Sequence, residues 1–377
     1  MFTQGIYLRE AVTMTRNSTL KLDLPGEGQL SALLLKITGN CTSGATLTAT
    51  PWRIQDHISN ILVLANGATP IKSYSAPLAQ YTAWLSQGLV PPHFWRNYAE
   101  NTQMEYLWVL FGRRIGDEQY GLDLEAFSSM ELQITNTATS TYYSTDFTVS
   151  VLQAFMRDMP GKFGSHIRTL NWREWTTVSD ETKYYLLPSE FPLRGIHLRA
   201  LPDETSGVND CNCANLMDDI DFSLNGGTKQ VYKGGLDDLM VLRYMERGAE
   251  IHTHGLIDRT ADYGLDFSVG RAWGRSIGSG SKDDAVSSVI PTIESDQTDG
   301  SIKPEAREAD SPIEIGVTGM AYQYTVPLLH VPDCEADKMI QPITKDGEVR
   351  LNLHTRSGAA YADGTNTVML EQVAPNG

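Results

Sequence analysis

The sequence predicts an all-β protein of two tandem jelly-roll β-barrels, with one short helix in each barrel and a long inserted loop in the second. Three observations predict this fold: a repeat that spans most of the 377 residues, short stretches in which polar and apolar residues alternate, and an acidic segment late in the second half. The repeat is the most informative, because two copies of one unit fix the architecture before any single motif is interpreted.

The two halves of the chain share landmarks in the same order. An Asn-Gly pair followed by an apolar-periodic stretch occurs twice, about 160 residues apart, at Asn66-Gly67 and Asn225-Gly226. Five upstream positions match at a constant offset of 163: Leu24 with Leu187, Pro25 with Pro188, Leu30 with Leu193, Leu33 with Ile196, and Leu35 with Leu198. Two downstream runs match at an offset of 219: residues 130–134 with 349–353, and residues 144–153 with 363–372.

Short alternating stretches dominate both halves, at residues 19–24, 130–135, 146–152 and 348–355. Strict alternation places one set of side chains on a core face and the other toward solvent, which is typical of antiparallel sheets. Each repeat is therefore predicted to be a sandwich or jelly roll rather than an α/β unit. About fifteen residues precede the first predicted strand.

The Asn-Gly pairs predict tight hairpins, because both central positions of such a turn favour a positive φ that Asn and Gly tolerate best. A short helix is predicted after each hairpin from its apolar spacing and its terminal glycine. The helical positions are Leu78, Tyr81 and Leu85 before Gly88, and Leu236, Leu239, Met240 and Arg243 before Gly248.

The repeat sets the predicted domain limits: a first jelly roll over residues 1–157, a linker over 158–168, and a second jelly roll over 169–377. The linker region is rich in arginine and lysine; a solvated linker is the commoner interpretation, and contact with an anionic membrane or nucleic acid is the alternative. A surface insertion is predicted around residues 268–315. Its centre, residues 276–314, holds nine acidic and three basic residues, a composition that cannot bury a core and belongs on an outer surface.

The composition limits the function. With 30 Lys and Arg against 46 Asp and Glu, the formal net charge of −16 argues against a general nucleic-acid binder, which needs clustered positive charge. No secretory signal is recognised at the start, and no apolar run approaches the roughly 20 residues that span a bilayer. Four cysteines are too few for a disulfide framework, and the pair Cys211 and Cys213 is interpreted as free thiols in a loop because no second pair completes a zinc site.

One motif carries a chemical alternative. His252 and His254, with Asp258 four residues on, resemble the first metal motif of cupins, and such a set suits iron or manganese. The later histidines, His330 and His354, lack the expected context, so His252 and His254 are interpreted as a solvated or hydrogen-bonded pair. We predict no catalytic residue, no cofactor-binding residue and no metal-binding residue.

Two tandem β-sandwich repeats, each with an Asn-Gly hairpin leading into a short helix, and a long loop inserted late in the second repeat resemble the double jelly-roll major capsid proteins of tailless icosahedral viruses. The resemblance implies a structural virion protein, made in the host cytoplasm, whose homotrimers form pseudo-hexagonal capsomers that tile an icosahedral shell. It implies contacts with neighbouring capsomers and with minor capsid or vertex proteins, and no sequence-specific nucleic-acid binding; contact with an internal membrane is left open. The alternatives are a bicupin-type metal enzyme using His252 and His254, and a glycan-binding or glycan-cleaving double jelly roll.

Overall fold

The structure is a computed structural model. It describes residues 1–42, 53–95, 102–201, 213–247, 251–257, 265–266, 272–279, 301–302, 313–357 and 364–377.

The first half of the chain folds into two sheets around a common core. The strands of one sheet are β1 (Phe2–Met14), β3 (Gln29–Asn40), β6 (His93–Phe94), β7 (Thr102–Leu110), β8 (Leu122–Asp123) and β10 (Phe147–Arg157). Their order is β1-β10-β3-β7-β6, with β8 paired to β3. The strands of the other are β2 (Ser18–Asp23), β4 (Ile58–Ala65), β5 (Thr69–Tyr74) and β9 (Met130–Asn136), in the order β2-β9-β4-β5. Two helices, α1 (Ile54–His57) and α2 (Ala76–Gln87), complete this first barrel.

The second half repeats this plan. One set of strands is β11 (Ser165–Thr176), β13 (Leu193–Leu201), β21 (Thr325–His330) and β23 (Thr365–Pro375), in the order β11-β23-β13-β21. The other set is β12 (Thr182–Leu186), β14 (Met217–Leu224), β15 (Lys229–Gly234) and β22 (Arg350–Thr355), in the order β12-β22-β14-β15. Helix α3 (Leu236–Arg247) follows β15, as α2 follows β5.

The strand orders confirm the predicted repeat. The order β1-β10-β3-β7 of the first barrel matches β11-β23-β13-β21, and β2-β9-β4-β5 matches β12-β22-β14-β15. The matched leucine and isoleucine positions are buried in the two cores, and all of them except Leu24 and Leu187 lie on the equivalent strands β3 and β13. Both Asn-Gly pairs form the predicted hairpins with left-handed backbone, at φ 53° and 74° for Asn66 and Gly67 and 52° and 65° for Asn225 and Gly226.

Alternation in the sequence becomes alternation of burial. Along β9 every second side chain, including Leu132 and Ile134, points into the first core. Each fully buried aliphatic side chain contributes roughly 1.5–3 kcal/mol relative to an exposed one. The two barrels have separate cores, except that Tyr322 and Met369 from the second half of the chain join the core of the first barrel.

The chain forms a strand earlier than the sequence predicts. Strand β1 covers Phe2–Met14, within the roughly fifteen residues that were expected to precede the first strand. Most of its side chains are exposed, because β1 is an edge strand paired only with β10. Such a strand needs no alternation of polar and apolar residues, so the pattern used for prediction is missing from its sequence.

The predicted insertion around residues 268–315 is not loop throughout, and strands from just before it join the same sheets. Strands β16 (Ile251–Ile257), β18 (Ala272–Ser279) and β20 (Ile313–Gly319) form a small sheet in the order β16-β20-β18, and β17 (Leu265–Asp266) pairs with β19 (Ser301–Ile302). Ile313, Ile315 and Val317 alternate with smaller or polar residues along β20, a local strand pattern that the acidic composition of the whole segment obscured. Much of the predicted acidic centre lies outside the described residues.

Strand β11 begins at Ser165, inside the predicted linker, and the division of the chain at residues 158–168 stays a prediction. Two basic side chains of this region are paired: Lys162 Nζ lies 2.6 Å from Glu125 Oε2, and Arg168 lies 3.3 Å from Glu190. Within the described part of the chain, no helix has the length and apolar character needed to cross a bilayer.

Candidate functional site

The two barrels are joined edge to edge by backbone hydrogen bonds. Strand β5 of the first barrel pairs in parallel with β11 of the second, with Lys72 opposite Thr169 and Ser73 opposite Leu170. The Lys72 ammonium also donates to Thr169 Oγ1 at 2.7 Å. This pairing makes one eight-stranded sheet, β2-β9-β4-β5-β11-β23-β13-β21, so the contact region, which we call the seam, is continuous with both barrels.

Helix α2 is buried on all sides at the seam. Pro77 lies in its first turn, Gly88 ends it with a φ of 71°, and ten of its twelve residues are buried. A helix at the surface of a single barrel would expose one face. Here that face is covered by the second barrel, since Tyr81 contacts His197 of β13 with a distance of 3.1 Å between the hydroxyl and Nδ1.

A charged cluster, made of Lys72, Arg194, His197, His330 and Glu371, lies under α2 at the seam. Glu371 Oε2 is its centre, at 2.9 Å from an Arg194 nitrogen, 3.3 Å from His197 Nε2 and 3.7 Å from His330 Nδ1. Arg194 is also held by the carbonyls of Val331 and Pro332. The cluster side chains of the second barrel project from neighbouring strands on the face opposite to its core.

Burial and charge shift the protonation of this cluster. Burial lowers the pKa of Lys72 to about 7, against the opposing effect of Glu371. Burial alone would raise the pKa of Glu371, but Arg194, His197 and His330 together hold it well below its usual range. Burial lowers the pKa of His330 to about 3, so His330 is neutral at physiological pH. The buried carboxylate is therefore ionised, with Arg194 as its main counter-charge.

A second group of polar residues, the glutamine cluster, crosses the seam beside the first. It consists of Gln55, Gln80 and Glu105 from the first barrel and Tyr322 and Gln323 from the second. Gln55 and Gln323 exchange amide hydrogen bonds at 3.1 and 3.3 Å, and the Tyr322 hydroxyl donates to Gln80. Gln323 has a left-handed backbone with a φ of 55°, a strained conformation for a non-glycine residue that these contacts hold in place.

Each barrel has a second surface that is equivalent to one side of the seam, and both of these surfaces are exposed to solvent. Helices α2 and α3 have twelve residues each, and position by position Tyr81, Thr82 and Leu85 correspond to Val241, Leu242 and Met245. The α2 residues are at most 7% exposed, whereas the α3 residues are 38%, 42% and 75% exposed. Helix α3 thus shows to solvent the apolar face that α2 buries against a second barrel.

The surface of the first barrel that is equivalent to the α2-binding face of the second barrel is also exposed. In the second barrel, α2 contacts His197, which in turn contacts Glu371. By the repeat offsets, the counterparts of these two residues in the first barrel are Leu34 and Leu152. Leu34 and Leu152 are partly exposed, and Trp108 lies directly opposite Leu34 on β7. The outer face of the first barrel is therefore apolar where the equivalent face of the second barrel is charged.

The two strands equivalent to those that pair at the seam are also unpaired on one side. Strand β15, the counterpart of β5, and strand β1, the counterpart of β11, each lie at the free edge of a sheet. The registers inside the barrels make Tyr232 equivalent to Lys72 and Tyr7 equivalent to Thr169. Tyr7 is 55% exposed, and unpaired edges of this kind accept a further strand.

The histidines of the predicted metal alternative lie outside both barrels. His252 and His254 belong to β16 of the small inserted sheet, opposite Thr318 and Gly316 of β20. His330 lies instead in the charged cluster, and His354 pairs with Asp218 at 2.7 Å.

The cysteine and tryptophan residues singled out in the sequence lie in or against the cores, except for one that is outside the described residues. Cys213 is buried in the second core, and Cys211 lies outside the described residues. Trp84 and Trp95 are buried in the first core, and Trp172 and Trp175 pack on the second, which agrees with a core role for these aromatic residues.

Comparison with solved structures identifies the fold. The chain is similar over its full length to the major capsid protein of STIV (TM-score 0.58, 10% identity, 100% of this chain and 98% of that chain covered). It is also similar to the major capsid protein of bacteriophage PM2 (TM-score 0.50, 10% identity, 99% and 98% covered). A third similar structure is PBCV-1 VP54 fitted into a reconstruction of the virophage Sputnik (TM-score 0.53, 9% identity, 99% and 93% covered). The sequence matches no protein-family model and no curated protein. The chain thus has the double jelly-roll fold seen in these capsid proteins.

Proposed function

We propose that this chain is a major capsid protein whose homotrimers form pseudo-hexagonal capsomers that tile an icosahedral virion shell. The full-length similarity to major capsid proteins of STIV and of bacteriophage PM2 supports this function. At about 10% identity the similarity establishes the fold, and the function is carried by a separate observation on the chain itself.

That observation is the exposure of both halves of a second seam. The second barrel exposes α3 and the edge of β15. The first barrel exposes the apolar face of Leu34 and Leu152 and the edge of β1. These surfaces correspond to the two sides of the seam inside the chain. A second copy can therefore dock head to tail by the same contact that joins the two barrels.

Head-to-tail contacts of this kind form either closed rings or open filaments, depending on whether the rotation closes. Three copies supply six barrels and six nearly equivalent seams, three within chains and three between chains. In the closed ring no α2 or α3 face stays exposed. We place β15 of one copy parallel to β1 of the next, with Tyr232 opposite Tyr7.

The chemistry of the two kinds of seam differs. The seam inside the chain is charged and polar through the charged cluster and the glutamine cluster, whereas the seam between chains would join Val241, Leu242 and Met245 to Leu34 and Leu152. Apolar contacts carry no cost for an unpaired buried charge, which suits a surface that must be stable both free and assembled. Because the two kinds of seam differ in chemistry, α3 is also a poor substitute for α2 on the charged face, and α2 is a poor substitute for α3 on the apolar face.

The enzyme alternatives find less support. A cupin metal site is built from barrel strands, whereas His252 and His254 lie on β16, which pairs with β20 of the small sheet. The sequence also contains a Gly-x-Ser-x-Gly run at residues 274–278, the pattern of a hydrolase nucleophile elbow, but it lies within strand β18, whereas such an elbow needs a strand-to-helix turn at the serine. We therefore propose a structural role without catalysis, located in the virion shell.

Further partners follow from the same proposal. Neighbouring capsomers would contact the outer sides of the trimer, and minor capsid or vertex proteins would occupy positions where six-fold packing is interrupted. The acidic insertion would face the exterior of the shell, because nine carboxylates cannot be buried with three basic residues.

A single charge placed in the proposed seam between chains tests the proposal. Met245→Asp puts a carboxylate on the exposed face of α3, and Ile343→Asp is the matched control because Ile343 is also 75% exposed but lies on a turn of another surface. By native mass spectrometry we expect trimers for the wild type and for Ile343→Asp, and monomers for Met245→Asp with at least a 100-fold weaker association. A monomeric wild type, or a Met245→Asp variant that stays trimeric, would show that the proposed contact is wrong.

A further inference from the structure

Three potential metal ligands converge beneath α2, apart from the motif that the sequence singled out. His197, His330 and Glu371 come from β13, β21 and β23, and one donor atom from each lies within 4.8 Å of the other two. The side chains are at most 5% exposed. Two imidazoles and one carboxylate form a ligand set typical of zinc sites.

The distances between donors fit a tetrahedral ion. Ligand atoms at about 2.0–2.1 Å from a tetrahedral zinc ion lie roughly 3.3–3.4 Å from each other. Glu371 Oε2 is 3.3 Å from His197 Nε2 and 3.7 Å from His330 Nδ1. Small side-chain rotations of His330 would bring all three donors to coordination distance.

His330 gives an independent indication of a missing ligand. Both of its ring nitrogens are buried, and neither has a hydrogen-bond partner. Buried polar side-chain atoms are nearly always satisfied by protein, water or an ion. A cation coordinated by a ring nitrogen facing Glu371 would supply a partner to one of them.

Gly195 keeps the space between the donors clear. A Cβ atom at this position would lie 2.4 Å from His197 Nε2 and 2.9 Å from Glu371 Oε2. No side chain fits there, because both distances are far shorter than van der Waals contact. The glycine therefore leaves room for a small ion where the lone pairs of the imidazole and the carboxylate face each other.

The residues around the donors can orient them. The Tyr81 hydroxyl lies 3.1 Å from His197 Nδ1, so a proton on Nδ1 would leave the Nε2 lone pair directed at the ion. Arg194 donates to Glu371 Oε2 and to two backbone carbonyls, so it can hold the carboxylate in place beside the metal.

We propose that His197, His330 and Glu371 bind one divalent transition-metal ion of the zinc class, with water as the fourth ligand. This site departs from the expectation, drawn from the sequence, of no metal-binding residue. The ion would tie three strands of the second barrel together at the face on which α2 packs. Because all three ligands come from one chain, the proposal is independent of trimer formation and of the capsid function.

Metal content measured on the purified full-length chain tests the site. The chain is incubated with ZnCl₂, freed of excess metal by gel filtration, and analysed by native mass spectrometry and elemental analysis. We expect one zinc per chain in the wild type and less than one tenth of that in His330→Ala and Glu371→Gln. His354→Ala is the matched control, since His354 is a second-barrel histidine already paired with Asp218, and it should keep the zinc.

Cobalt substitution reports which kinds of ligand the site supplies. The wild type loaded with Co²⁺ should show the visible absorption of a four-coordinate nitrogen and oxygen site without thiolate charge-transfer bands, and zinc should displace it. Absence of stoichiometric metal in the wild type, or equal metal content in a folded His330→Ala variant, would overturn the proposal and leave a water or proton as the partner of these groups.

Discussion

The sharpest stability prediction concerns the buried ion pair at the seam. Arg194 is 1% exposed, and its guanidinium lies 2.9 Å from the Glu371 carboxylate, which is 3% exposed. Replacing Arg194 by Met keeps the apolar part of the side chain but leaves the carboxylate without its main counter-charge. Removing one partner of a buried pair typically costs about 3–5 kcal/mol.

The structure places the expected cost of Arg194→Met within this range. The guanidinium also donates to the carbonyls of Val331 and Pro332, which lose these partners in the variant. His197, His330 and Lys72 remain near Glu371 and can offset part of the uncompensated charge by binding protons. We therefore expect a loss of about 3–4 kcal/mol, a large fraction of the 5–15 kcal/mol that is usual for a folded protein.

The assay is urea denaturation at fixed protein concentration, followed by tryptophan fluorescence and circular dichroism. Arg350→Met is the control, because Arg350 pairs with Glu348 at the surface and such pairs contribute about 0–1 kcal/mol. Arg194→Met combined with Glu371→Gln should recover part of the loss, since both charges are then removed. A cost for Arg194→Met no larger than that of Arg350→Met would refute the assigned role of the pair.

Further predictions concern pH, the histidine motif and the insertion. Burial raises the pKa of Glu105 to about 8, so its contribution to stability is complete below its unfolded pKa of 4.5 and is lost as the pH rises through 8. Glu105→Gln should remove a slope of about 1.4 kcal/mol per pH unit from the free energy of unfolding measured by urea denaturation across this window, and an unchanged slope would contradict the assignment. His252→Ala with His254→Ala should leave the trimer intact by native mass spectrometry, whereas dissociation would assign these residues to an interface. Deletion of residues 278–311 should also leave trimers, because surface loops tolerate length changes at small entropic cost, and loss of trimers in gel filtration would place the insertion at a contact.

Much of the fold could be predicted because its signals are local. The Asn-Gly hairpins, the helix after each hairpin and the alternating strands depend on neighbouring residues, and the constant offsets preserve strand register, since a slip of one residue would turn the core side chains outward. Strand β1 was missed for the opposite reason: exposed on both faces at a sheet edge, it has no apolar period to detect.

The seam could not be predicted from one sequence. Lys72, Arg194 and Glu371 occupy outward positions of strands, where polar residues are the ordinary expectation for a sheet that faces water. They become buried only because the two barrels and α2 pack together there, through contacts between residues 97 to 268 positions apart in the chain. His330 was weighed only as a partner of the His252 motif, whereas in the structure it joins His197 and Glu371.

Electron microscopy of the purified protein tests the central claim most directly. If six nearly equivalent seams close a ring of three chains, two-dimensional class averages of single particles should show a compact pseudo-hexagonal outline with six barrels. Under assembly conditions these particles should pack into hexagonal arrays or shells. Particles of one or two barrels at micromolar concentration, or open filaments, would contradict the account.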